Sequence, residues 1–178
     1  DRLRRRLLTD YGVDAVLTIP FTREFANLTP EQFVHHLLDD ALSADVVRVG
    51  YDFNFGRGRS GNVETLTRLG EHLDIRIFTH PAVVLDGDPI SSTRVRKAVA
   101  SGRMREAEIL LDRPYSVEER QREGHGRGKE MGVPTINLYP DSVLLPPFGV
   151  YATSFRIGEE HFDAVTNVGV RPTYDDDD

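Results

Sequence analysis

The chain has 178 residues, enough for one or two domains, and its 39% apolar and 29% charged content is the balance of an ordinary globular protein. It has no cysteine, which excludes disulfides, thiolate nucleophiles and Cys-ligated zinc. The net charge of −7 includes four charges from Asp175 to Asp178, a terminal run set aside from fold reasoning, and the remainder lacks the basic face of a nucleic-acid binder.

No apolar run approaches the roughly 20 residues that cross a bilayer. The Arg-rich start, Asp1 to Leu8, has no long apolar core after it and is not a secretory signal, so a cytoplasmic location is expected, with no membrane partner.

Leu3, Leu7, Leu8 and Tyr11 recur at helical spacing, with Gly12 where a helix stop falls. Val13 to Phe21 then reads as a buried parallel strand. Thr29-Pro30-Glu31-Gln32 is a helix start, with Thr as cap, Pro at the first helical position and Gln three residues after the cap. Phe33, Val34, Leu37, Leu38, Ala41 and Leu42 form the apolar stripe that follows. His35 and His36 fall mainly off it, and no third His or carboxylate is placed to complete a metal site.

Ala44 to Phe55 reads as a second strand, Asn62 to Asp74 as a capped amphipathic helix, and Ile75 to Leu85 as a third strand. This alternation predicts a doubly wound parallel sheet, in which ligands sit at the carboxyl ends of the strands. Two stretches fall at that edge. Gly56-Arg57-Gly58-Arg59-Ser60-Gly61 fits G-x-G-x-x-G, but it follows the second strand, and neither Asp74 nor Asp86 stands where the ribose-binding acid should. The preceding Tyr51 to Phe55 suits a planar aromatic ligand better than a tight dinucleotide turn.

The other stretch is Asp88-Pro89-Ile90-Ser91-Ser92-Thr93-Arg94-Val95-Arg96. Hydroxyls at a loop-to-helix change cap the first turn, whose spare N–H groups favour anions. Arg94 and Arg96 add planar forks suited to phosphate oxygens. The same residues serve equally as a plain cap on an Arg-rich surface helix.

Two short helices split at Gly102 follow, and a domain boundary is expected at Asp112-Arg113-Pro114-Tyr115. Beyond it, Gly149 to Ile157 alternates as a half-buried strand, with Phe162 to Val168 its hairpin partner across Gly158-Glu159-Glu160. Gly124 to Gly132 is Gly-rich around Lys129 but fails the phosphate-loop pattern, because Glu130 follows the lysine. Pro134-Thr135-Ile136-Asn137 offers a hydroxyl and an amide oxygen two residues apart, a fair seat for Mg²⁺ beside nucleotide phosphates or simply a turn and a strand cap.

In this order the motifs resemble the bacterial bifunctional riboflavin kinase/FMN adenylyltransferase family. The stretches that carry the resemblance are Val49 to Gly56, Ile90 to Arg96, Gly128 to Asn137, Pro147 to Tyr151 and Asn167 to Thr173. The resemblance implies a nucleotidyltransferase-type, Rossmann-like α/β domain over 1–112 and part of a small antiparallel β-barrel kinase domain over 113–178. It implies flavin contacts from Asp52, Phe53, Phe55 and Gly56, and ATP contacts from Ser91, Ser92, Thr93, Arg96, Gly128 and Gly132. Thr135 and Asn137 would hold Mg²⁺, with ATP, FMN and riboflavin as the small-molecule partners.

The family's His-x-Gly-His motif and its kinase carboxylate are not found in the chain, and Glu118 to Glu123 is polar where a barrel strand is expected. An internal piece of the enzyme with little or no turnover is therefore expected, whose open sheet edges would invite association between copies. A non-catalytic nucleotide- or flavin-binding module and an NAD-dependent oxidoreductase are the competing readings.

Overall fold

The computed structural model describes residues 2–119, 135–140 and 143–169. The chain divides into two compact units, Asp1–Val84 and Leu85–Asp178.

The first unit opens with α1 (Arg2–Asp10) and a short α2 (Arg23–Ala26) capped by Thr22. Between them, the expected strand over Val13 to Phe21 is not formed. Leu17 and Phe21 are 60% and 80% exposed, against the burial that the apolar run predicts. A strand needs a neighbour to take its N–H and C=O groups, and this run has none among the described residues.

The helix start at Thr29 is as read. The hydroxyl of Thr29 accepts from the Gln32 N–H, and the Gln32 side chain accepts from the Thr29 N–H. α3 (Pro30–Phe33) then widens into π-helical turns over Val34–Ala41, where the Leu42 N–H reaches back five residues to Leu37 O at 3.1 Å. Val34 and Leu38 point inward, while His35 and His36 lie outside beside Asp39 and Asp40.

β1 (Val46–Gly50), α4 (Val63–Glu71) and β2 (Arg76–His80) make a βαβ unit with parallel strands registered Val46 to Arg76 and Gly50 to His80. Both strands are shorter than the apolar runs that contain them, and the parallel sheet of the described residues has two strands rather than three. Asn62 caps α4 by accepting from the Thr65 N–H at 2.9 Å, and the helix buries Leu66 and Leu69 against Val34, Leu38, Phe55 and Ile75. Burying each such leucine contributes roughly 2 kcal/mol.

β3 (Val84–Leu85) and β4 (Asp88–Pro89) pair across a two-residue turn, and α5 (Ser92–Ala100) and α6 (Met104–Leu111) follow, split at Gly102 as the sequence predicts. Ala98, Val99, Ala107 and Leu110 form the second core, with Leu85, Ile90, Val95 and Tyr115 packed on it. The small Ala98 and Ala107 allow the two helices to approach closely.

The unit continues into the antiparallel pair β5 (Gly149–Ile157) and β6 (Glu160–Val168), whose tight turn at Gly158 lies where the sequence places it. Tyr151, Thr153 and Phe155 are the half-buried face, and Val150 and Val165 are in solvent. No closed barrel is formed among the described residues.

Candidate functional site

The two stretches singled out at strand ends have different fates. In the first unit, the chain leaves β1 through a turn at Tyr51 and Asp52, and the Asn54 side chain ties back to Asp52 O at 2.7 Å. Phe55 and Gly61 then pair as an isolated antiparallel bridge that closes the loop between them. Phe55 is 6% exposed, with Phe53 stacked on it at 5.5 Å and 16° and Phe33 tilted against it at 5.1 Å. Two rings pack on Phe55, which makes it a core residue of this unit.

The glycines of the loop have packing reasons. A Cβ on Gly61 would come within 2.8 Å of the Phe55 ring, and one on Gly56 within 2.9 Å of Pro30. These contacts account for the first and last glycines of the G-x-G-x-x-G pattern without a dinucleotide, and the middle one, Gly58, has open space around it and a left-handed φ of +62°. Asp52 is exposed and Phe53 half-buried, so these two remain on the surface of the loop.

Beside the loop lies a cleft of about 380 Å³ lined by Thr29, Glu31, Arg57, Ser60, Thr65 and Arg68. The Glu31 carboxyl is held below its usual pKa by its own backbone N–H at the helix start and by the Thr29 hydroxyl, with the Arg68 charge a smaller contribution.

In the second unit, Ser91 is the N-cap of α5, and its Oγ accepts from the Arg94 N–H at 3.2 Å. The N–H groups of Ser92 and Thr93, at the first helical positions, have no partner within the helix. The side chains of Ser92, Thr93 and Arg96 are exposed, and Arg96 makes no hydrogen bond or ion pair among the described residues. This is a helix start with spare donors, two hydroxyls and an unengaged guanidinium on one short segment.

Arg94 differs from its neighbours. Its Nη1 donates to Leu85 O at 2.9 Å and to Asp88 O at 3.1 Å, so this arm of the guanidinium is committed to backbone carbonyls. Sequence spacing gives no sign of that bond, because the acceptors are carbonyls six and nine positions away.

Thr135 and Asn137 are exposed, Asn137 at an isolated bridge position, and Gly128 and Gly132 lie outside the described residues. Among the described residues no group of three or more His, Asp or Glu side chains is gathered to hold a metal ion.

The βαβ core, the hydroxyl-lined start of α5 and the antiparallel hairpin define a two-unit α/β protein. Residues 1–94 match the family model of FAD synthetase, and residues 111–178 match that of riboflavin kinase. The chain belongs to the FAD synthetase family.

It is 38% identical over 175 residues to the bifunctional riboflavin kinase/FMN adenylyltransferase of Escherichia coli K12, covering 97% of this chain and 56% of that protein. The enzyme of the same name from Pseudomonas fluorescens is 36% identical over 162 residues, covering 91% of this chain and 52% of the relative. The chain thus spans about half the length of the curated relatives it matches.

A crystal structure described as a macrolide-efflux protein from Streptococcus pneumoniae superposes with a TM-score of 0.82 and 31% identity, covering 98% of this chain and 56% of that one. That description belongs to the other protein; among the described residues here no helix is long and apolar enough to cross a membrane.

Proposed function

We propose that this chain carries segments of an FAD-forming enzyme: a nucleotidyltransferase-type part over 1–112, adenylylating FMN, and part of a β-barrel riboflavin kinase over 113–178. The family matches over 1–94 and 111–178 support that division.

In the adenylyl transfer, a phosphate oxygen of FMN attacks the α-phosphorus of ATP. A new P–O bond forms, the bond to the β-phosphate breaks, and pyrophosphate leaves. No protein nucleophile is required, so the work of the chain is positioning and charge neutralisation. The N–H groups of Ser92 and Thr93, their hydroxyls and the Arg96 guanidinium meet the phosphates, with Ser91 holding the turn. The exposed set at this helix start, with Arg96 unpaired among the described residues, is the observation that carries the reading. Asp52 and Phe53 meet the flavin, and Phe55 and Gly56 act one layer behind by fixing the loop.

In the kinase reaction, the terminal ribityl hydroxyl of riboflavin attacks the γ-phosphorus of ATP, its proton is lost, and ADP leaves. Gly128 and Gly132 belong to the nucleotide side of that reading. Thr135 and Asn137 supply two neutral oxygens, which fit Mg²⁺ as a partial seat when phosphates and water complete its shell. The ion supplies charge neutralisation at the phosphates.

Titration of the chain with ATP, AMP and NAD, alongside FMN fluorescence quenching and chromatography of the products, tests the reading. Saturable binding that strengthens from AMP to ATP, together with flavin quenching, is expected. Little or no FAD is expected from this chain alone, and nucleotide binding with no flavin quenching would mark a nucleotide-binding module instead. Stabilisation by NAD with none from ATP would replace the reading with a dinucleotide one.

A further inference from the structure

The Asp86–Gly87 turn between β3 and β4 has both φ angles positive, +55° and +86°, as a two-residue hairpin turn requires. The strands it joins have two residues each, too few for their own ladder to hold them firmly. The Arg94 Nη1 bonds the carbonyls of Leu85 and Asp88, which bracket this turn on either side. Arg94 stands in the first turn of α5, and its own N–H is capped by Ser91. Turn, cap and helix start are thereby tied into one corner by a charge-assisted pair of hydrogen bonds. Were the Arg94 Nη1 to turn to a phosphate, both carbonyls would lose their side-chain donor.

We propose that Arg94 is a positioning residue, which holds the Leu85–Asp88 turn against α5 so that Ser92, Thr93 and Arg96 are presented together, and that it does not itself touch the nucleotide. This rests on the phosphate reading of that corner given above.

The test is made on the whole chain with Arg94→Ala and Arg94→Lys. Hydrogen–deuterium exchange across residues 85–95 is read without ligand, and ATP affinity is read separately. Exchange over α4 serves as the folding control. In Arg94→Ala, exchange across 85–95 should rise and ATP affinity should fall by about tenfold, the scale of one charge-assisted hydrogen bond. Arg94→Lys keeps a charged nitrogen with N–H groups enough for both carbonyls but ends one atom short of the Arg94 Nη1, so it should show the same two changes to a smaller degree. If Arg94→Ala does not fold, Arg94→Lys still provides both readings.

A fall in ATP affinity with unchanged exchange would make Arg94 a direct phosphate ligand and overturn the proposal. So would faster exchange with ATP affinity intact, which would leave it a purely structural bond. Failure of the unsubstituted chain to bind ATP would strike the phosphate reading itself, and exchange alone would then decide whether the clamp exists.

Discussion

The loop over 51–61 and the corner over 88–96 have the same sequence context, each between a strand and a helix and each rich in residues that ligands use. In the loop two of those residues are consumed by packing: Phe55 is buried against Phe33 and Phe53, and Gly61 makes room for it. In the corner the core is supplied from the far side of the helix by Ala98 and Val99, and Ser92, Thr93 and Arg96 stay in water. Position at a strand end is therefore not enough to make a site. What separates the two is whether the fold has already spent the side chains.

The comparison breaks most sharply at Phe55. Phe55→Ala should lower stability by about 3–5 kcal/mol, the usual cost of emptying a buried aromatic position. Chemical denaturation reads it; a loss below about 1 kcal/mol would mean that the ring is not core and would return it to the flavin.

At the corner, Ser91→Ala removes the cap and should cost about 1 kcal/mol, while α4, capped independently by Asn62, keeps its exchange protection. Unchanged stability would show that Ser91 Oγ is free for a ligand rather than committed to the turn.

The smallest effect is in pH. Glu24 and Glu31, in the first turns of α2 and α3, have carboxyls held below their usual pKa, each first by its own backbone N–H and then by the hydroxyl of the capping threonine. Because the folded form binds the proton less readily, this stabilisation is present above the unfolded carboxylate pKa and is lost as pH falls through the lowered folded one. The first turn of α5 carries no acidic residue, so its cap should be indifferent to the same change. Far-ultraviolet circular dichroism against pH should therefore show an acid limb that flattens in a Glu24→Gln, Glu31→Gln double variant. An unaltered limb would assign acid loss to other groups.

Local chemistry was more legible than the partner of each strand. The reciprocal cap of Thr29 and Gln32, the Asn62 cap, the split at Gly102 and the hairpin turn at Gly158 each depend on residues within a few positions, and each was read correctly. Val13 to Phe21 has strand composition, but a strand also needs a partner, which composition does not specify. The burial of Phe55 is not legible in the sequence, because an aromatic beside a strand end looks alike whether it faces a ligand or Phe33. Arg94 was read as an anion fork because its true acceptors are main-chain carbonyls, which every residue carries.

The phenol of Tyr115, kept protonated to higher pH by its burial, donates to Leu144 O at 2.7 Å, across 29 positions of chain. That bond works as a drawstring at the neck of the intervening span, so the span begins and ends at a fixed place whatever its length. Closing a loop costs only about 0.6 kcal/mol more for each doubling of its residues. The entropic cost of bringing Tyr115 and Leu144 together would therefore change little with the number of residues between them.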